Sequence, residues 1–505
     1  MSGMAIIQDT IARSLDAPPS LSPWFTTSYL MALSASVPIV GRLAGAGAAM
    51  PRILLLPAAA IFCAGALLAA SASSAAVFIG GRVLAGVGGG AFLALAFVFV
   101  LALVPEPRRG IGLGVINAAI TVGVSLGAVV YGGLLSAVGW RERQRPLFWM
   151  QAPVAFVAAL AVFLCTPASI QSDQKHRESP SSLSRRLVRI DYLGAVLLCL
   201  TVVLFLYGLA STVQPLILGL SIVSLAAFIA CEYLVAVDPV LPLTLLSSRG
   251  VLLSCISQLG LMAARWSLLF FAPIFILAVH GAPRSAAGSV LVPTNLGFAV
   301  GGIVVGSLHI RRTGSFWLSC LIALAFFSAS ILGLAIVASP RAALTPLIAL
   351  VFINGFATGA ALNYTMAHLL HLCHPDTEYV AASLLATFRG FGGSFGTSIG
   401  GGMFYRFLRR SLARGFLALD GGQHLSPAHS TLIPRLLGMP ELVLHGGLSS
   451  EEQKVALNGY AGAIGFVWMA AAILMLMVMA AQAATGWTAP KPLRSADTVA
   501  HRRDE

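Results

Sequence analysis

Long runs of uncharged, apolar residues recur along this chain, and nothing else in it restricts the fold as much. The run from Gly81 to Val104 holds a single charge, Arg82. A short turn, Pro105-Glu106-Pro107-Arg108-Arg109-Gly110, leads into a second run punctuated by Gly114, Gly123, Gly127 and Gly132. A helix needs about 20 apolar residues to cross a bilayer, and inside lipid each backbone polar group has to be satisfied within the segment. The pair therefore reads as a transmembrane helical hairpin with a basic turn. The runs are continuous rather than alternating, which argues against a β-barrel.

The same pattern predicts further spans, roughly at 24–46, 53–75, 147–166, 192–211, 213–236, 250–279, 286–308, 315–338, 343–370, 382–404 and 461–484. With the hairpin, roughly 77–104 and 110–137, this makes about thirteen full spans. Residues 1–17 read as the outer end of a helix whose first part is missing. Of 505 residues 58% are hydrophobic and only 10% charged, which points to an all-α polytopic membrane protein. The formal charge of +13 collects in short loops. That is the positive-inside pattern, and no basic stripe with interleaved aromatics suggests nucleic acid. Loops carrying Arg52, Arg108 with Arg109, the bases between 175 and 189, Arg249, and Arg311 with Arg312 are expected to be cytoplasmic. Arg141, Arg143 and Arg145 run against the pattern.

Polarity divides the chain into an N-terminal bundle (1–166), a cytoplasmic linker (167–190) and two extra helices with a loop (191–249). A C-terminal bundle (250–485), with an extramembrane segment at about 405–460, and a cytoplasmic tail (486–505) complete it. Ser449-Ser450-Glu451-Glu452 has capping-box spacing and is expected to start a short surface helix. The halves echo each other weakly. Gly41-Arg42-Leu43-Ala44 ahead of Arg52 is matched by Gly302 to Gly306 ahead of Arg311-Arg312, and Gly114–Gly132 by Arg389-Gly390 to Gly400. Duplicated halves are a recurring transporter plan.

With these residues in view, the chain resembles the major facilitator superfamily. It looks most like the fourteen-span drug:proton antiporter branch, whose fungal members include vacuolar basic amino-acid transporters. Gly81-Arg82 to Gly90 is similar to that branch's fourth-span arginine-glycine motif. Gly114, Gly123, Gly127 and Gly132 resemble its fifth-span antiporter motif, with Ala128 and Tyr131 as departures. Trp140-Arg141, Asp191-Tyr192-Leu193-Gly194, Asp238–Leu243 and Phe388-Arg389 also look familial. The loop after the second span departs: Gly45, Ala46 and Ala48 stand where the family carries charge. The resemblance implies two six-helix bundles plus two linker helices, the first helix apparently truncated. Its implied activity is proton-coupled export or vacuolar sequestration of a small organic solute by alternating access. A vacuolar basic amino-acid transporter, or a non-transporting receptor with the same fold, are the alternatives. The expected partners are a small-molecule substrate, protons and the lipid bilayer, with no nucleic acid and the chain a monomer.

Candidate site residues follow from the cost of placing polar groups in lipid. The resemblance ties Arg82 to proton coupling; the bland reading is an arginine capping backbone carbonyls. Gly86, Gly114, Gly123, Gly127 and Gly132 let helices approach closely and bear on conformational change. Arg265 with Trp266 sits mid-span and is a candidate to contact a substrate carboxylate or ring. Asn117, Asn295, Asn354, Asn363 and Tyr364 are either interhelical glue or substrate contacts. Among them Asn117, Asn363 and Tyr364 are taken as site candidates, and Arg389 joins them. Arginines with few buried acids favour neutral or anionic solutes, since a cationic one would want a carboxylate. His368, His371, Cys373 and His374 lack the acids of a good metal site. The seven scattered cysteines read as small hydrophobes. No metal or cofactor is expected, and no paired acids or nucleophile elbow support an enzyme.

Overall fold

The computed structural model describes residues 4–17, 21–45, 50–105, 144–167, 191–210, 213–235, 243–309, 315–341, 343–373 and 377–487, with some positions between 112 and 130. The described residues are nearly all helical and contain no strand. Ten helices among them are long and apolar enough to cross a membrane.

The N-terminal half holds α1 (Met4–Ser14), α2 (Ser22–Gly45), α3 (Met50–Ala70), α4 (Ala75–Leu103) and α5 (Gln151–Cys165). Next come α6 (Tyr192–Ala210) and α7 (Pro215–Leu234). The C-terminal half holds α8 (Arg249–Val279), α9 (Leu291–Val304), α10 (Trp317–Val337), α11 (Leu344–Leu372) and α12 (Glu378–Leu419). Then come α13 (Pro427–Gly438) and α14 (Ser450–Ala483). Helix boundaries have local causes. Ser74 caps α4 by accepting from the Val77 N–H. Asp191 starts α6, its Oδ1 accepting the Gly194 N–H at 2.7 Å, so the Asp191–Gly194 motif is a helix start.

Apolar side chains are sorted by neighbour, not by solvent. In α5 and α7, Val154, Leu216 and Leu234 face outward, as they should where lipid is the solvent. Helix α8 is the most enclosed, and its buried face nucleates the large C-terminal core with Phe275, Phe327, Leu347 and Trp468. The extra pair α6/α7 lies over the junction of the halves. A second core joins Met31 of α2, Leu198 and Leu206 of α6, Cys255 of α8 and Phe391 of α12.

The halves repeat one seam. On α4, a Cβ added at Gly86 would strike the Tyr29 carbonyl of α2, and one at Gly90 the Leu33 carbonyl. On α11, a Cβ at Gly355 would strike the Thr294 carbonyl of α9, and one at Gly359 the Phe298 carbonyl. Both pairs are glycines four apart on one helix stripe, meeting carbonyls four apart on the partner, which is how small residues let helix backbones close up in lipid.

Two expectations are corrected here. Helix α12 does not stop at 404 but continues to Leu419, and the capping box opens the last span's helix, not a separate surface helix. The reason is a stripe: Leu408, Leu412 and Phe416 recur every four residues, are buried, and pack with Ala456 and Tyr460 of α14. The arginines between them occupy the other faces. Ser449 accepts the Glu452 N–H at 3.3 Å while Glu452 accepts the Ser449 N–H at 2.7 Å, completing the box.

Candidate functional site

A small cavity, about 20 Å³ in volume, lies where the two halves meet. Phe97 of α4 closes it from the N-terminal half. From the C-terminal half come Gln258 of α8, Asn363 of α11 and Arg389 of α12, with Leu362, Met366, Leu385 and Ala386 supplying apolar wall. Its polar groups are few, and they converge on one small space between the halves. No carboxylate is among the described residues that line it.

Each polar side chain offers something definite. Asn363 donates from Nδ2 to the Gly302 and Gly359 carbonyls at 2.9 and 3.3 Å. Both amide hydrogens are thus engaged, which leaves Oδ1 as an acceptor. Gln258 is 2% exposed, and its Oε1 has no hydrogen-bond partner. Arg389 makes no hydrogen bond or ion pair among the described residues. Beside it the halves touch: Ser34 of α2 donates to the Gly390 carbonyl at 2.8 Å, and Ser398 Oγ lies 3.4 Å from Thr27 Oγ1.

The other candidates are placed elsewhere. Arg265 is turned into the C-terminal bundle. Its guanidinium donates to Thr294 Oγ1, to Asn354 Oδ1 at 3.3 Å, to Asn295 Oδ1 at 3.2 Å and to the Thr294 carbonyl at 3.4 Å. Asn354 in turn donates to Ser330 Oγ at 3.0 Å. So Arg265, Asn295 and Asn354 form one knot joining α8, α9 and α11, and none of them lines the cavity. Trp266 packs on α12 at Gly393. Tyr364 stacks near Phe316, with centroids 6.4 Å apart. Consecutive helix positions point about 100° apart, so Asn363 faces the cavity while Tyr364 does not. Arg82 is buried; its Nε donates to the Phe25 carbonyl at 3.0 Å and its guanidinium lies 4.4 Å from the Tyr29 ring centre. It therefore ties α4 to the start of α2. Gly86 lies in the seam, whereas Gly114 and Gly123 have no described neighbour within 4 Å of an added Cβ. Gly127 is helical and partly exposed. Asn117, Gly132 and His374 lie outside the described residues. His368 Nε2 lies 2.9 Å from Thr485 Oγ1.

Sequence reasoning missed Gln258, Phe97, Ser34 and the Gly355/Gly359 stripe. The stripe was readable as small residues four apart in an apolar run, and Gln258 as a lone amide in one. Phe97 carries no such signal.

Beyond the spans, His429 of α13 is clamped between two acids. Nδ1 lies 2.9 Å from Asp420, Nε2 lies 3.1 Å from Glu452, and the ring stacks on Phe416. The Asp420 hydrogen bond is the chief cause that raises the His429 pKa, while the Ser426 N–H and then His429 hold that of Asp420 down.

Comparison with known proteins gives three kinds of match. A family model described as Major Facilitator Superfamily matches residues 1–397. The "MFS transporter L2" of Phoma sp. is 24% identical over 486 residues, covering 94% of this chain and 77% of that one. The "MFS-type efflux pump LUC4" of Fusarium sp. is 29% identical over 409 residues, covering 78% and 69%. Among solved structures, an inward-facing, occupied bacterial homolog of the human lysosomal transporter Spinster superposes with a TM-score of 0.59 at 15% identity. That match covers 96% of this chain and 92% of that one, and it speaks to the fold alone.

Proposed function

The chain belongs to the major facilitator superfamily, and on that premise we propose that it exports a small organic solute from the cytosol by alternating access. The solute leaves across the plasma membrane or into a vacuole, and a proton gradient drives it. The observation that supports this reading best is the cavity, walled by α4 on one side and by α8, α11 and α12 on the other, beside the α2–α12 contact. A site between two repeats, with the repeats rocking around it, is the general plan of such transporters. The names of several fungal relatives as efflux pumps favour the outward direction.

In this mechanism the solute enters while the cavity is open to the cytosol and the α2–α12 contact closes the far side, or the reverse. Arg82 links coupling to movement, because it holds α4 to α2, the helix that brings Ser34 to Gly390. A basic amino acid fits the cavity less well, since it would want a carboxylate as counter-charge and the lining has none.

A reversible bridge across the seam tests the reading. A Cβ built on Gly390 lies 4.0 Å from the Ser34 Cβ, within the about 3.5–4.5 Å of a disulfide. The double variant Ser34→Cys/Gly390→Cys, with the seven native cysteines replaced, is reconstituted in vesicles with an imposed pH gradient and a panel of radiolabelled solutes. Gradient-dependent flux that stops on oxidation and returns on reduction supports export by rocking. Flux that continues through a fully bridged protein overturns the rocking mechanism. Solute binding without flux in the unbridged protein identifies a receptor instead.

A further inference from the structure

From the chemistry of the same cavity, and resting on the reading that it is the transport site, we propose that its substrate is an organic carboxylate that also carries a hydrogen-bond donor. Arg389 lines the cavity on α12 and makes no ion pair or hydrogen bond among the described residues. A cation at membrane depth is costly unless something neutralises it. Here no acid among the lining residues does so. A guanidinium presents a planar fork that matches a carboxylate in two parallel hydrogen bonds. The substrate is thus the counter-ion that the described lining does not supply.

The rest of the lining specifies the remainder of the molecule. Gln258 Oε1 is buried without a partner, so it accepts from a hydroxyl or amide N–H on the solute. Asn363, with both amide hydrogens committed to backbone carbonyls, adds a second acceptor. Phe97 and Met366 give an aromatic and a thioether surface for an apolar body. The division is consistent: one positive fork, two neutral acceptors, and apolar walls from the remaining described lining residues.

Binding to the purified full-length protein tests this without requiring flux. The probes are 4-hydroxyphenylacetate, its uncharged methyl ester, and tyramine, which puts a cation on a similar ring; phenylacetate serves as the probe lacking the hydroxyl. The acid is expected to bind at least about tenfold more tightly than the ester or tyramine, the size of one lost charged hydrogen bond. Arg389→Gln is expected to erase that preference, with wild-type helicity and a monodisperse elution profile showing that the variant is folded. Gln258→Leu is expected to weaken 4-hydroxyphenylacetate and leave phenylacetate alone. Equal binding of acid and ester, preference for tyramine, an unchanged acid affinity in Arg389→Gln, or no binding by any probe each overturns the proposal. Acid-selective binding without vesicle flux removes the transport reading and leaves the carboxylate site standing; flux without acid preference does the opposite.

Discussion

Arg265 is a cation enclosed by neutral acceptors, and that arrangement makes the cost of losing one acceptor depend on the charge it serves. Asn354→Leu keeps the branched outline and removes two bonds: Arg265 Nη1 to Asn354 Oδ1 at 3.3 Å, and Asn354 Nδ2 to Ser330 Oγ at 3.0 Å. The first is charge-assisted but long, so the low end of its range applies, about 1.5 kcal/mol. The second is neutral, and Ser330 keeps its own bond to the Phe327 carbonyl, so about 0.5 kcal/mol suffices. Measured interhelical polar bonds in membrane proteins average about 0.6 kcal/mol, which sets a floor near 1.2 kcal/mol for the two. The expected loss is therefore about 1–2 kcal/mol. In an Arg265→Met background the cation is gone, and the same Asn354→Leu change is expected to cost only the Ser330 bond, about 0.5 kcal/mol. Equilibrium unfolding in mixed detergent micelles, followed by helicity for wild type, both singles and the double, measures the coupling. Equal costs in the two backgrounds, within the about 0.3–0.5 kcal/mol scatter of independent sites, would show that Asn354 does not solvate Arg265 and would refute the reasoning.

Three further outcomes are expected. Gly86→Leu and Gly355→Leu each drive a side chain into a carbonyl of the facing helix; both should lower the midpoint of thermal unfolding in detergent by an overpacking cost of about 1–3 kcal/mol, and an unchanged midpoint would contradict the close seam. Tyr29→Leu and Arg82→Met should be non-additive by about 0.5–2 kcal/mol in the same unfolding assay, the range for a cation over an aromatic ring. For the outer module, the raised His429 pKa contributes fully below 6.5 and is lost as pH rises through the folded value. The lowered Asp420 pKa contributes fully above 3.8 and is lost as pH falls through its own folded value. The protection of α13 amides, their exchange rate divided into the intrinsic rate at each pH, should accordingly be greatest between those limits and fall on either side, with His429→Gln flattening the alkaline limb; a pH-independent protection would rule the clamp out.

Most of the architecture was legible because lipid imposes a length on apolar segments, and those lengths stand out against the short charged loops. Boundaries near water were less so. Arg406, Arg409, Arg410 and Arg414 read as the end of a span, yet they occupy the faces away from the Leu408–Leu412–Phe416 stripe, and the helix runs on. Of the residues that line the cavity, Asn363 and Arg389 were legible as candidates because polar groups in apolar runs are conspicuous. The direction in which they point was not readable. Arg265 looked like the stronger cavity residue, but its position on α8 aims it at acceptors on α9 and α11, and only packing decides which side of an all-apolar helix faces a cavity. Gln258 was equally visible as a polar residue, and what makes it informative, an oxygen left without a donor, exists only in three dimensions.

Helix α12 carries Arg389 near one end and Phe416 near the other, in 42 unbroken residues. At about 1.5 Å per residue it is about 63 Å long, twice the hydrocarbon thickness. It is a pry bar with its handle in water. Pivoting by about 10° at Arg389 would swing the Leu419 tip, about 45 Å away, through about 8 Å. On the proposed rocking mechanism, whatever grips the α13 cap, an antibody fragment for instance, would hold the bar still and silence the cavity from beyond the spans.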